Sequence, residues 1–181
     1  MLRKDALLLP LVAVLALAGP AQLAPGASAR IDRGEGLLPL IAAKRKEAWR
    51  WQRLMGKPLS RHAGSAARAA SLAYRRWMLR LWTARAARAR RRAIRPPHLE
   101  AWLCIHRYEG RWDDPNPPCY GGLQMDLGFQ RAYGRHLQRT KGTADNWTPL
   151  EQMWVAERAH TSGRGFYPWP STARYCGLSE R

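Results

Sequence analysis

A pair of prolines, Pro96-Pro97, divides this chain of 181 residues into two parts of different character. A helix ends at such a pair, because proline lacks the backbone N–H and restricts the residue before it. A predicted helix over about 71–95 precedes the pair, and its apolar face consists of Tyr74, Trp77, Met78, Leu81 and Trp82. Before it, an earlier helix is predicted over about 39–55. Residues 59–70, rich in Ser, Ala, Gly and Arg, are typical of a linker.

The part after the prolines has the pattern of a small, mainly α-helical domain with one short hairpin or loop. The predicted elements are a helix over about 98–109, a loop or short hairpin over 110–122, a helix over 125–139 with a weak point at Gly134, a helix from Thr148 to Gly163, and an irregular stretch over 166–176. The fourth element has the clearest start, because Thr148, Pro149 and Glu151 supply an N-cap, a first-turn proline and a capping-box acid. We therefore place a domain over 98–181.

The first 29 residues have the pattern of a secretory signal peptide. Arg3 and Lys4 precede an apolar run, and Ala27-Ser28-Ala29 fits the small-residue cleavage site. An uncleaved N-terminal anchor is the alternative, although the run is short for a membrane span. We expect an exported protein whose mature chain begins near Arg30.

Positive charge is concentrated before the prolines. Residues 30–97 hold 19 Lys or Arg against 3 Asp or Glu, whereas residues 98–181 hold 10 against 9. This basic helical region could bind anionic cell-envelope polymers or lie on an anionic membrane surface. Nucleic acid gives the same signature, but export argues against it. A solvated helical arm without a specific partner is an equal alternative.

The cysteines of an exported chain can form a disulfide, because disulfides persist outside the cytoplasm. Cys104, Cys119 and Cys176 allow one disulfide and leave one thiol over. We predict the pair Cys104–Cys176, which closes a loop of about 70 residues and contributes roughly 4 kcal/mol in chain-entropy terms. A zinc site is the alternative, but the paired ligand spacing is missing, so no metal or cofactor is expected.

Glu109 is the candidate catalytic acid. It ends an apolar helix, where the helix dipole disfavours an anion, and the turn Tyr120-Gly121-Gly122-Leu123-Gln124 follows. Cleavage of a glycosidic bond needs an acid that keeps its proton near neutral pH, and aromatic surroundings favour the protonated form. Tyr108, Trp112 and Tyr120 could supply such surroundings. The alternative is a surface glutamate at a helix end.

Other residues are candidate sugar contacts or partner acids. The predicted substrate-binding set is Trp112, Tyr120, Gly121, Gly122, Gln124, Asp126 and Trp169. Each has a structural alternative: a tight turn for the glycines, a helix N-cap for Asp126 and a core position for Trp169. Asp113 and Asp114 are further candidate carboxylates, but neither is compelling. Glu157 is expected to be structural.

Several motifs in the second part occur in the order of a known family. They are Trp102, Glu109-Gly110, Trp112, the turn over 120–124, Ala156-Glu157-Arg158, Gly165, and Trp169-Pro170 leading to Cys176. With these motifs, residues 101–178 resemble the lysozyme-like core of resuscitation-promoting factors and related actinobacterial transglycosylase-like proteins. Two departures stand out: Cys104 lies five residues before Glu109 rather than beside it, and Cys119 replaces an aromatic residue.

The resemblance implies a small α-rich lysozyme fold, peptidoglycan glycan strands as substrate, Glu109 as catalytic acid and the Cys104–Cys176 disulfide. The expected function is therefore that of a peptidoglycan-cleaving enzyme, secreted or associated with the bacterial cell wall, and either a lytic transglycosylase or a muramidase. One convincing carboxylate favours the lytic transglycosylase over a two-carboxylate hydrolase. Two alternatives remain. One is a cell-wall-binding module without catalysis, and the other is a membrane-active basic protein in which residues 71–95 carry the activity.

Overall fold

The structure, a computed structural model, describes residues 36–61 and 71–179. The predicted signal peptide and residues 62–70 of the predicted linker lie outside the described residues. The described chain is mainly helical, as predicted. Its elements are α1 (Leu37–Leu54), α2 (Leu72–Ala93), α3 (Leu99–Glu109), β1 (Cys119–Tyr120), β2 (Met125–Asp126), α4 (Leu127–Tyr133), α5 (Arg135–Lys141), a 3₁₀ turn (Ala144–Asn146), α6 (Pro149–Ala159), a π-type turn (His160–Arg164) and α7 (Pro170–Tyr175).

Helices α1 and α2 form a hairpin with its own apolar core. That core contains Ile41, Ala48, Met78, Trp82 and Ala86. Trp82 is fully buried and meets Trp49 edge to face, with 6.0 Å between the ring centroids. Helix α1 ends in a Schellman motif, in which the N–H of Lys57 donates to the carbonyl of Gln52 and Gly56 adopts a φ of 65°. The two predicted helices are thus confirmed to within a few residues.

The second part is built around a core rich in aromatic residues. Trp102 of α3 is fully buried, and its ring lies 5.0 Å from Phe166 and 5.2 Å from Trp169, measured between centroids. Leu123, Met125, Val155 and Ala173 complete this core from the turn, β2, α6 and α7. These elements are short and far apart in the sequence, so the core depends on contacts between distant segments of the chain.

The hairpin packs against α6 of the second part. Met55, Ala89, Ala93 and Trp154 form a third apolar cluster that joins the two parts. The indole N–H of Trp154 donates to the carbonyl of Ala93 at 2.7 Å, and a guanidinium N–H of Arg158 donates to the carbonyl of Leu54 at 2.9 Å. Both acceptors lie at helix C-termini, where carbonyls lack partners within the helix.

The single helix predicted over 125–139 is wrong. Met125–Asp126 form β2, which pairs antiparallel with β1, and two helices follow. Asp126 is extended and caps α4, which prevents the helix from beginning earlier. The break between α4 and α5 falls at Gly134, where an added Cβ would lie 2.5 Å from the ring of Trp147. The close approach of that indole explains why the weak point becomes a break.

Two further differences concern the C-terminal elements. Helix α6 ends at Ala159 rather than near Gly163, because the backbone changes to the π-type turn and reaches a φ of 97° at Gly163. The stretch over 166–176, predicted to be irregular, contains α7. Pro170 occupies the first turn of that helix, where a missing N–H costs nothing. Among the described residues, no helix has the length and apolar character needed to cross a membrane.

Candidate active site

Glu109 is the last residue of α3, and its carboxylate is held by a residue of α7. The hydroxyl of Thr172 donates a hydrogen bond to Glu109 Oε1. Glu109 is half-buried, whereas Thr172 is buried with 7 % of its surface exposed. Sequence reasoning missed Thr172, because nothing local in the sequence indicates that α7 packs beside the end of α3. The partner fixes the direction of the candidate acid.

Two further contacts fasten α3 to α7. Cys104 and Cys176 form the predicted disulfide, with 6.0 Å between their Cα atoms, and Cys119 is free. Tyr108 packs against Tyr175, with ring centroids 5.7 Å apart. Tyr108 is nevertheless 57 % exposed, so it does not enclose the acid as expected. Its ring packs against Tyr175 at the protein surface instead.

The turn after β1 lies beside the backbone that follows Glu109. Gln124 Nε2 donates to Asp114 Oδ2 at 2.8 Å and to the carbonyl of Gly121 at 3.1 Å. A Cβ added at Gly110 would lie 3.4 Å from that same Gln124 nitrogen. Gln124 adopts a φ of 46°, a left-handed conformation that is uncommon for a residue other than glycine. The predicted sugar contact is thus near Glu109, but its amide N–H groups have partners within the protein.

The two glycines of the turn are buried and make close internal contacts. A Cβ at Gly121 would lie 2.6 Å from the side chain of Gln152, and one at Gly122 would lie 2.6 Å from His106. Their carbonyls accept from Gln124 and His106. The geometry supports the structural alternative for both glycines and gives no support for a contact with sugar.

Gln152 is a second residue that sequence reasoning missed. It is fully buried on α6, and its amide nitrogen donates to the carbonyls of Trp112, Ala144 and Trp147 at 2.7, 2.9 and 3.1 Å. These contacts anchor the loop that carries Trp112. A lone glutamine in an amphipathic helix gives no signal that its side chain crosses to another segment.

The aromatic candidates have different surroundings. Trp112 is partly exposed and stacks on His106, with 3.9 Å between the ring centroids, and Tyr120 packs partly buried against the core. Trp169 is only 4 % exposed, and its indole N–H donates to the carbonyl of Leu123 at 2.7 Å. Its predicted role in substrate binding is therefore corrected to a core role, because the ring has no face open to a ligand.

The candidate partner carboxylates are all engaged. Asp126 caps α4 by accepting from the N–H of Phe129 at 2.7 Å, as its structural alternative predicted. Asp113 pairs with Arg111 at 2.9 Å on the surface. Asp114 accepts from Asn116 and Gln124. All three have partners within the protein, as Glu109 has in Thr172, so Glu109 stays the candidate acid because of its position at the end of α3.

Cys119 lies within electrostatic reach of Glu109. Burial raises the pKa of the Cys119 thiol, and the negative charges of Asp126 and Glu109 raise it further. Asp126 is also the direct partner of Cys119 in the two-stranded sheet. Asp126 therefore lies beside the thiol, and the charge of Glu109 acts on it as well. This arrangement could not be derived from the sequence, in which Cys119 is the cysteine left over.

Glu157 has the structural role that was expected of it. Its side chain is 2 % exposed on α6, and Oε1 accepts from the backbone N–H of His98 and from the indole N–H of Trp102, both at 2.8 Å. Its other oxygen contacts His98 Nδ1 at 3.1 Å. The carboxylate thus satisfies the start of α3 and the central tryptophan of the core.

A cleft of about 590 Å³ begins at Asp126 and extends along α4 to the segment before α7. Its lining includes Asp126, Phe129, Tyr133, Arg164, Tyr167 and Pro170. Neither Glu109 nor Thr172 lines this cleft. Tyr167 is 62 % exposed and presents an aromatic ring at the edge of the cleft. Within the described residues, no group of three or more His, Cys, Asp or Glu side chains could hold a metal ion.

Comparisons with protein-family models, curated proteins and solved structures found no match to this chain.

Proposed function

We propose that this protein is an exported enzyme that cleaves the glycan strands of peptidoglycan, with Glu109 as general acid. The observation that carries the proposal is the fixed position of Glu109. Its carboxylate ends α3, is held by Thr172 and belongs to a pair of helices joined by a disulfide. Catalytic acids need this kind of positioning, because proton transfer requires a fixed distance to the reacting oxygen.

In the proposed reaction, protonated Glu109 gives its proton to the oxygen of the scissile glycosidic bond as that bond breaks. Positive charge develops on the sugar ring, as in other glycoside cleavages. The ionised Glu109 then accepts a proton from the attacking hydroxyl. In a lytic transglycosylase that hydroxyl is the 6-hydroxyl of the muramoyl residue, and the product is a 1,6-anhydro sugar. In a hydrolase it is water.

The lytic transglycosylase is the better supported of the two reactions. An inverting or retaining hydrolase uses a second carboxylate. Each nearby candidate has a structural role: Asp113 forms a surface ion pair, Asp114 holds the loop through Asn116 and Gln124, and Asp126 is the N-cap of α4. The internal attack of a transglycosylase needs one acid and base, which Glu109 can supply alone.

The proposed place of action is the cell envelope. The proposal rests on the predicted signal peptide, which lies outside the described residues, and on the charge of the hairpin. The exposed face of α2 carries Arg76, Arg80, Arg88, Arg90, Arg91 and Arg92. We propose that anionic envelope polymers or a membrane surface attract this face.

The test is mass spectrometry of purified peptidoglycan treated with the protein, with Glu109→Gln, and with Glu100→Gln as an exposed control on the same helix. We expect 1,6-anhydromuramoyl fragments from the protein and the control, and none from Glu109→Gln. Reducing-end fragments would indicate a hydrolase. Sedimentation of the protein with peptidoglycan, without release of fragments, would refute the enzyme and favour the wall-binding module.

A further inference from the structure

A second cleft, of about 800 Å³, lies where the end of α1 meets α4, α5 and α6. Part of its lining is apolar and comes from both parts of the chain: Trp51 and Leu54 from the hairpin, and Leu137 and Leu150 from the second part. Glu109, Thr172 and the turn over 120–124 do not line this cleft. A partly apolar cleft of this volume is the usual form of a site for an organic ligand.

The charged groups of this cleft are almost all positive. Arg50 and Arg53 line it from α1, and Arg135 and Lys141 line it from α5. Its one acid, Glu151, is already paired with Lys141, whose ammonium lies 2.7 Å from Glu151 Oε2. The guanidinium groups of Arg50, Arg53 and Arg135 form no ion pair within the described residues. That of Arg50 lies over the Trp51 ring, 4.8 Å from its centroid. The cleft therefore has an excess of positive charge beside an apolar surface.

Arg158 adds a fourth guanidinium, and this one is partly buried. It donates to the carbonyls of Tyr133 and Leu54 at 2.6 and 2.9 Å, and it has no carboxylate partner in the described part of the chain. Burial lowers its pKa. A charge removed from water is costly unless an opposite charge accompanies it. An anion in the cleft would supply that charge.

We propose that this cleft binds an amphiphile that carries a phosphate group and an apolar body. The phosphate contacts the arginine side chains, which match its geometry with paired N–H donors. The apolar body lies against Trp51, Leu54, Leu137 and Leu150. Such a ligand can be a phospholipid of a membrane or a soluble lipid-linked phosphate. The proposal is independent of catalysis at Glu109.

The probe is dodecyl phosphate below its micelle concentration, measured by isothermal titration calorimetry on the whole protein. Dodecyl maltoside has the same tail without the anion and serves as the ligand control. The cleft variant is Arg53→Gln with Arg135→Gln, two exposed side chains whose loss leaves the core intact. The matched control is Arg107→Gln with Arg174→Gln, which removes the same charge from exposed positions of α3 and α7.

We expect the protein to bind dodecyl phosphate at least tenfold more tightly than dodecyl maltoside. The reason is that hydrogen bonds between arginine side chains and a charged phosphate raise the affinity by about tenfold or more. The cleft variant should lose about tenfold or more, and the control should lose little. Equal losses in the two variants would overturn the proposal in favour of unspecific charge. Equal binding of the two detergents, or no binding of either, would overturn it as well.

Sedimentation with vesicles identifies the source of the phosphate once binding in the cleft is established. Vesicles of phosphatidylglycerol are compared with vesicles of phosphatidylcholine for the protein and for both variants. Weaker sedimentation of the cleft variant than of the control with phosphatidylglycerol supports the proposal with a membrane lipid as ligand. Equal sedimentation of both variants, together with the loss of dodecyl phosphate binding in the cleft variant, supports it with a soluble lipid-linked phosphate.

Discussion

The carboxylate of Glu109 accepts a hydrogen bond from the hydroxyl of Thr172, although 63 residues separate them in the sequence. This contact, the disulfide and the Tyr108–Tyr175 pair bring the end of α3 against α7 at three neighbouring positions. The candidate acid therefore belongs to a fixed pair of helices rather than to a free helix end. This arrangement separates Glu109 from an ordinary surface glutamate.

Loss of the Thr172 hydroxyl should weaken catalysis without unfolding the protein. Thr172→Val keeps the shape of a buried side chain and removes the donor to Glu109. We expect the rate of glycan release to fall about tenfold, because Glu109 loses the contact that orients it and a misplaced catalytic group slows the reaction. Ser171→Ala, at the exposed neighbour, is the control. Full activity of Thr172→Val, with thermal unfolding unchanged, would show that Thr172 does not position the acid.

The reactivity of Cys119 reports the position of Glu109 without any assay of catalysis. The charge of Glu109 raises the pKa of the Cys119 thiol, after burial and Asp126. Glu109→Gln should therefore lower that pKa and increase the thiolate fraction, so that a disulfide reagent reacts faster near pH 8. Glu100→Gln is the control and should leave the rate unchanged. Identical rates in the three proteins would place Glu109 too far from the thiol.

The sequence predicts the local features of this fold well. Periodic apolar residues indicate α1, α2 and α3, and Thr148 with Glu151 forms the predicted capping box of α6. The pair Cys104–Cys176 is also predicted from the sequence and forms, whereas the catalytic role of Glu109 stays a prediction. These features depend on neighbouring residues along the chain or on the few possible partners of three cysteines.

The features that the sequence did not predict depend on contacts between distant segments. Thr172, Gln152 and the break at Gly134 each take their role from a segment at least ten residues away. Helix α7 was missed because prolines near its start suggested an irregular stretch, whereas Pro170 occupies the first turn of the helix. The structural roles of Asp113, Asp114 and Asp126 likewise depend on partners that the sequence does not indicate.

Removal of the disulfide should destabilise the protein strongly. Cys104 and Cys176 are 72 residues apart, and a loop of that length corresponds to about 4 kcal/mol of chain entropy in the unfolded state. The double variant Cys104→Ser with Cys176→Ser should show this loss in urea unfolding monitored by circular dichroism. Cys119→Ser, at the free cysteine, should change stability little. If both proteins unfold at the same urea concentration, the disulfide does not contribute this stability.

Two substitutions of Glu157 test whether its side chain acts as a structural hydrogen-bond acceptor or as a charged or catalytic group. Glu157→Gln keeps the oxygen that accepts from His98 and Trp102, whereas Glu157→Leu leaves both donors without a partner in the core. We expect Gln to be tolerated and Leu to cost about 3 kcal/mol, since each unsatisfied buried donor costs about 1–3 kcal/mol. Chemical denaturation measures both. Loss of glycan cleavage in a stable Glu157→Gln protein would contradict the structural role.

The neighbouring rings of His98 and His160 should make stability depend on pH. Their centroids lie 4.0 Å apart, and burial followed by the charge of His98 lowers the pKa of His160 below its ordinary 6.5, with Glu157 acting in the opposite direction. As the pH falls through 6.5, the unfolded chain therefore takes up a proton that folded His160 does not, and stability decreases.

His160→Phe keeps an aromatic ring beside Phe166 and removes the titrating group, so it should reduce the loss of stability between pH 7 and pH 5. Thr161→Ala, which changes the next residue and removes no titratable group, should keep the loss seen in the unaltered protein. Urea unfolding at several pH values in this range measures the difference. An unchanged slope in His160→Phe would mean that other groups carry the pH dependence.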